Sequence, residues 1–202
     1  MGIPVLIMGE SGSGKTYSLK NFDPNEVGIF SVEKGRLPFK GDFKVVKHAT
    51  YPLIEKIFTA PKLKRYVIDD SQYLLVNELF DRAKDTGYQK YTDMAVNFRN
   101  LIHAVNHNLP DDVIVYFLHH TETDSNTGKT KAKTVGRMID QYLTLEGCFD
   151  IVLLTAVEGN QHFFITQSDG YTTAKSPDGM FEPKMPNDLA EVDRKIRDYW
   201  GL

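Results

Sequence analysis

An α/β fold is expected, built on a mostly parallel sheet with helices on both faces. Three observations predict it. Short apolar runs alternate with helical patterns along the 202 residues. The first run, Ile3-Pro4-Val5-Leu6-Ile7-Met8, leads directly into Gly9-Glu10-Ser11-Gly12-Ser13-Gly14-Lys15-Thr16, a complete G-x-x-x-x-G-K-[ST] phosphate-binding loop. Glu158-Gly159-Asn160-Gln161 is a turn signal between two strand-like runs, which adds a C-terminal β-hairpin from 150–157 and 161–167. With no internal repeat and no long linker, residues 1–202 are read as a single domain with a sizeable core.

The elements follow in order. Strands are expected at 3–8, 27–32, 65–69, 112–118 and 149–155, where apolar residues run together as in a sheet covered on both faces. A minor strand is expected at 43–47. Helical patterns start near Lys15, span about 52–59, 71–84 and 90–106, and close the chain at 188–200. Asn187 or Asp188, just after Pro186, is placed to cap the last of these.

Composition narrows the function. A net charge of −3 argues against a histone-like coat on nucleic acid, although a local basic site remains open. The single Cys148 rules out an internal disulfide framework and suits a reducing compartment. His48, His103, His107, His119, His120 and His162 show no Cys/His zinc spacing. No apolar run approaches the roughly 18 residues of a membrane span. The chain enters its first strand at once, so no signal peptide is expected and a cytoplasmic protein is.

The loop at 9–16 points to a nucleoside triphosphate. Its backbone N–H groups face phosphates at a helix start, Lys15 serves the β- and γ-phosphates, and the Thr16 hydroxyl serves Mg²⁺. A second metal carboxylate is expected from Tyr66-Val67-Ile68-Asp69-Asp70, an apolar strand taken to lie beside the first. Asp69 is favoured over Asp70, and an Asp or Ser71 there also suits a helix cap. Glu33, just past the strand 27–32, is placed to orient the attacking water, because strand carboxyl ends line the ligand crevice in open parallel sheets. The alternative is a surface Glu paired with Lys34 or Arg36. At His119-His120 two readings compete, a γ-phosphate contact or a packed imidazole. Residues 121–137 are polar and long for an idle connection. From Ser125 onward they carry Lys129, Lys131, Lys133 and Arg137 with no acid.

On these residues the chain resembles the RecA-like P-loop ATPase core, and within it the compact phage single-strand annealing and recombination ATPases. Ser31-Val32-Glu33 looks like the end of that family's second strand, with Glu33 at the place of its catalytic Glu. Val67-Ile68-Asp69-Asp70-Ser71-Gln72-Tyr73-Leu74 looks like its apolar-strand, Asp, small-residue, Leu segment. Tyr116-Phe117-Leu118-His119-His120 looks like the strand ending in a γ-phosphate sensor, which places His120 in that role. The resemblance makes 121–137 a mobile DNA-binding loop and matches Lys175 to a lysine that reaches a neighbouring subunit's nucleotide. It departs at Asp70, where Ser is common, and at His120, where Gln is. No residues precede the first strand, so long filaments are not expected.

The resulting expectation is a Mg²⁺-dependent ATPase, stimulated by DNA, that binds single-stranded DNA during annealing or recombination. Its partners would be further copies of itself or another recombination protein. The rivals are an AAA+ remodelling ATPase, a nucleotide kinase and a non-hydrolysing nucleotide-gated module.

Overall fold

The computed structural model describes residues 1–202 apart from Lys34, Arg137, Met138, Gln141 and Tyr142. Among the described residues the order of elements is β1 (Ile3–Gly9), a 3₁₀ helix (Thr16–Asn21), β2 (Val27–Ser31), β3 (Val45–Lys47), α1 (Tyr51–Phe58), β4 (Arg65–Asp69), α2 (Gln72–Asp81), α3 (Gln89–Asn108), β5 (Ile114–Thr123), β6 (Thr130–Ala132), a second 3₁₀ helix (Leu145–Cys148), β7 (Ile151–Glu158), β8 (Gln161–Ile165), β9 (Lys184–Pro186) and α4 (Leu189–Trp200).

The sheet runs β3-β2-β4-β5-β1-β7-β8-β9, with β6 paired to β5 outside that path. The strands from β3 to β7 are parallel, and β8 and β9 fold back antiparallel. This is the expected α/β fold, including the hairpin of β7 and β8. One expectation is corrected: β4 does not neighbour β1, because β5 lies between them. Apolar content cannot distinguish neighbours within a fully covered sheet, so the sequence did not reveal that order.

Strand alternation divides the core into two layers. Leu6, Met8, Phe30, Ile68, Val115 and Phe117 face α1, α2 and α3 through Ile54, Phe58, Leu74, Leu75, Phe98 and Ile102. Val5, Ile7, Ile29, Val67, Ile114 and Leu118 face Leu19 of the first 3₁₀ helix and Leu189, Val192 and Ile196 of α4. Each fully buried aliphatic or aromatic side chain contributes about 1.5–3 kcal/mol. No helix among the described residues is long and apolar enough to cross a membrane.

Three helix and loop expectations change. The phosphate-loop helix is only a six-residue 3₁₀ segment, which ends where Asn21-Phe22-Asp23-Pro24 turns the chain. Residues 121–132 are not an open loop. β5 continues to Thr123 and pairs antiparallel with β6, and Asp124 closes the turn by accepting from the N–H groups of Asn126 and Thr127. β9, three residues long, has too little pattern to be read from sequence. Asp188 does cap α4, accepting from Ala190 N at 3.0 Å, and also takes the Asn21 amide at 2.7 Å.

α4 is fixed to the sheet by a buried charge. Asp193, 2% exposed, accepts from Tyr116 Oη at 3.0 Å, Arg65 Nε at 2.7 Å and Arg197 Nε at 2.8 Å. Three donors on three elements compensate its desolvation. Asp193→Ala would leave two guanidinium groups short of their anion. The expected loss of stability is about 3–5 kcal/mol, read from urea unfolding.

Candidate nucleotide-binding site

The loop after β1 is closed against β7 by hydroxyl groups. Ser13 Oγ meets Thr155 Oγ1 at 2.5 Å, and the two hydroxyl hydrogens are shared among that contact, Glu10 O at 2.7 Å from Ser13 Oγ and Met8 O at 3.0 Å from Thr155 Oγ1. A Cβ at residue 9 would stand 1.8 Å from Thr155 Oγ1, so only glycine fits there. Gly14 has φ +100°, and a Cβ there would stand 2.9 Å from His162 Nδ1. His162, on β8, contacts Ser13 O at 2.9 Å and so holds the loop from the hairpin side. Lys15 is buried, with Nζ donating to Gly9 O at 2.8 Å and Glu10 O at 2.9 Å. The ammonium therefore lies across the mouth of the loop, where phosphate oxygens would exchange with these carbonyls.

Beside it is a cavity of about 280 Å³ lined by Ser11, Gly12, Gly14, Lys15, Thr16, Tyr17, Arg36, Pro38, Asp69, Asp70 and His120. Thr16 Oγ1 donates to Asp69 Oδ1 at 2.9 Å, so the hydroxyl and carboxylate expected to serve a metal meet directly. These are hard oxygen donors of the kind Mg²⁺ takes, and they fit that ion. Among the described residues no cluster of three or more His, Cys, Asp or Glu forms a metal cage.

Asp70, directly after β4, stands in the left-handed region, φ +60°, a costly conformation for a non-glycine residue. The turn is held by Ser71 N donating to Leu118 O at 2.8 Å. It sets Asp70 Oδ1 3.3 Å from His120 Nε2, outside hydrogen-bond geometry. His120 also meets the Tyr73 ring edge-on at 5.9 Å.

The two histidines separate cleanly. His119 is fully buried and His120 lines the cavity. His119 Nε2 lies 2.8 Å from Lys133 O and Nδ1 lies 2.9 Å from Ser71 Oγ. A carbonyl only accepts, so Nε2 carries the proton; Nδ1 of the neutral ring is then an acceptor, and it shares the single Ser71 hydroxyl hydrogen with Leu118 O, 3.0 Å from Ser71 Oγ. Burial lowers the His119 pKa to about 4, with the nearby His120 and Lys15 acting in the same direction against the Lys133 carbonyl.

The remaining expected residues are distributed as follows. Glu33 is exposed two residues beyond β2, whose last residue, Ser31, pairs with Asp69, so it stands at the same sheet edge as Asp69. It is not among the residues lining the cavity. Lys129 and Lys133 are exposed. Lys131 instead pairs with Asp140 at 2.9 Å and Glu122 at 3.1 Å. Arg137 lies outside the described residues. Lys175 bridges Val152 through backbone hydrogen bonds of 2.8 Å. Val152 in turn pairs with Leu6, so Lys175 is level with the middle of β1. Tyr17, Arg36, Thr155 and His162 belong to the site but have no motif to mark them. Only the position of Tyr17 after Gly-Lys-Thr offered a signal.

A family profile described as "AAA domain" matches residues 1–177. The chain belongs to this AAA domain family. Among solved structures, one described as an ATPase domain has a TM-score of 0.52 and 16% identity, covering 88% of this chain and 78% of that one. That likeness is one of fold, a RecA-like P-loop ATPase core. No curated protein matches the chain. The family match stops before β9 and α4, yet α4 of this AAA domain supplies part of one core layer.

The burial of neutral His119 has a pH consequence. Its folded pKa lies below the ordinary imidazole value of 6.5, so the unfolded chain takes up the proton first. This contribution is fully present above about pH 6.5 and lost as pH falls toward 4. Urea unfolding across that window should show a fall of about 3 kcal/mol from this group. His119→Asn should flatten that slope.

Proposed function

We propose that this AAA domain binds ATP with Mg²⁺, hydrolyses it, and couples that cycle to single-stranded DNA. The observation that carries the reading is the 2.9 Å contact of Thr16 with Asp69 in the cavity shared by Lys15. In this reading residues 9–16 wrap the phosphates, Lys15 neutralises β- and γ-oxygens, and Thr16 and Asp69 hold the ion, with Asp70 behind them. Bound Mg²⁺ would supply charge neutralisation on the β- and γ-phosphates. Glu33 orients a water. The water oxygen bonds to the γ-phosphorus as the bridging β–γ bond breaks, the bond's electron pair leaves on ADP, and the water protons pass to Glu33, phosphate and solvent.

Support for the DNA side comes from a second groove, of about 530 Å³, lined by Glu10, Gln72, Tyr73, Val76, Thr121 and Lys133 and sharing Ser11 and His120 with the nucleotide cavity. An aromatic ring and a lysine suit a single strand, by stacking and phosphate contact. Lys129 lies at the hairpin turn beyond them. Lys131 is neutralised where it stands, so Lys129 and Lys133 are the available charges of that trio. So few contacts imply weak binding by one copy, strengthened when copies line up on one strand.

Turnover measured with and without single-stranded DNA tests the reading, with stimulation expected. Binding without turnover would favour a nucleotide-gated module instead. Lys15→Ala should abolish nucleotide binding by calorimetry. Glu33→Gln should keep binding and cut turnover, on the order of 10²-fold. Replacing both Lys129 and Lys133 by Ala should weaken single-strand affinity and reduce the log–log salt slope by about 1.4. An unchanged slope would remove the hairpin from the DNA site.

A further inference from the structure

We propose that Arg36 is a triphosphate-binding residue acting in cis, reaching the γ-phosphate from the β2 side of the crevice and making the site prefer a tri- to a diphosphate. This rests on the nucleotide reading above. Arg36 lines the same cavity as Lys15, Thr16, Asp69, Asp70 and His120. It makes no ion pair among the described residues, although its segment passes between the ends of β2 and β3.

The segment alternates in exposure. Leu37 and Phe39 are half-buried and pack on the core layer beneath α4, while Arg36 and Pro38 are exposed and line the cavity. Phe39 meets Tyr17 edge-on at 6.3 Å and Phe43 at 5.4 Å. Tyr17 directly follows Thr16. The strap is therefore anchored by its apolar face to the first residues after the phosphate loop, and the opposite face presents Arg36 to the cavity.

Charge explains why a guanidinium belongs there. Of the other lining groups, Lys15 is the one permanent cation, and it shares the cavity with Asp69 and Asp70. A triphosphate carries more negative charge than one lysine and one divalent ion offset. A guanidinium supplies a delocalised charge and a planar fork of donors matched to phosphate oxygens. The direction of approach selects the γ end. The strap leaves β2, and Ser31 at the end of β2 pairs with Asp69, the carboxylate at the metal position. Lys15 approaches from β1, on the far side of β4 and β5. The two cations thus close on the phosphates from opposite flanks of the crevice.

The test compares binding of Mg²⁺ with a non-hydrolysable ATP analogue and with ADP, by calorimetry, for the wild type, Arg36→Ala and Arg36→Lys. Arg36→Ala is expected to lose affinity for the triphosphate on the order of 10- to 100-fold, while ADP affinity changes less than about twofold. Arg36→Lys should recover part of the triphosphate loss. Equal losses for both nucleotides would assign Arg36 to the nucleoside or a general structural role and overturn the inference. Unchanged affinity for both would also overturn it. In either case nucleotide binding by the wild type would still stand. A wild type that bound neither nucleotide would remove the nucleotide reading itself, and this inference with it.

Discussion

The structure depends on how closely residue 9 approaches β7. The Thr155 hydroxyl occupies the space where any side chain on Gly9 would begin, and it lies within hydrogen-bond distance of both Ser13 Oγ and Met8 O. The phosphate loop is therefore packed against the neighbouring strand rather than standing free at the end of β1. Because it is closed in this way, Lys15 can be buried with its ammonium on two loop carbonyls, and Thr16 can reach Asp69. His162 adds a second brace from β8. A site held by side chains from several strands has little reorganisation left to make when phosphates arrive.

β5 carries the other half of the design. It is inserted between the strand that feeds the loop and the strand that supplies the carboxylates. Its middle carries one histidine locked inside and one facing the cavity. His119 joins the Ser71 hydroxyl, at the start of α2, to the Lys133 carbonyl, just past β6. His120 lines both the nucleotide cavity and the groove beyond it. Two adjacent side chains of one strand thus connect the carboxylate turn, the hairpin and the cavity.

Much of this was legible in the sequence, for physical reasons. The phosphate loop is read from a local pattern, and Thr16 and Asp69 were expected at one edge because parallel strands share their carboxyl ends. The hairpin at 158–161 and the Asp188 cap rest on turn and capping chemistry, which is also local. What could not be read depends on distant contacts. The place of β5 beside β1 and the pairing of β6 with β5 are choices between similar apolar or polar runs. Lys131 looked like one of a row of available cations, and its two acidic partners come into view only when 122, 131 and 140 are brought together. Arg36, Thr155 and His162 enter the site from segments far from the loop in sequence, with no motif around them.

The outermost strands have a consequence for the protein in crowded solution. β3 and β9 are each three residues long, spanning about 10 Å. β3 ends in Lys47, and β9 begins with Lys184 and ends with Pro186. Short, charged or proline-terminated margins offer few free backbone groups to another chain, so the sheet is poorly suited to growing into fibrils by strand addition. Helices, loops or a shared ligand are better suited than these margins to hold two such molecules together.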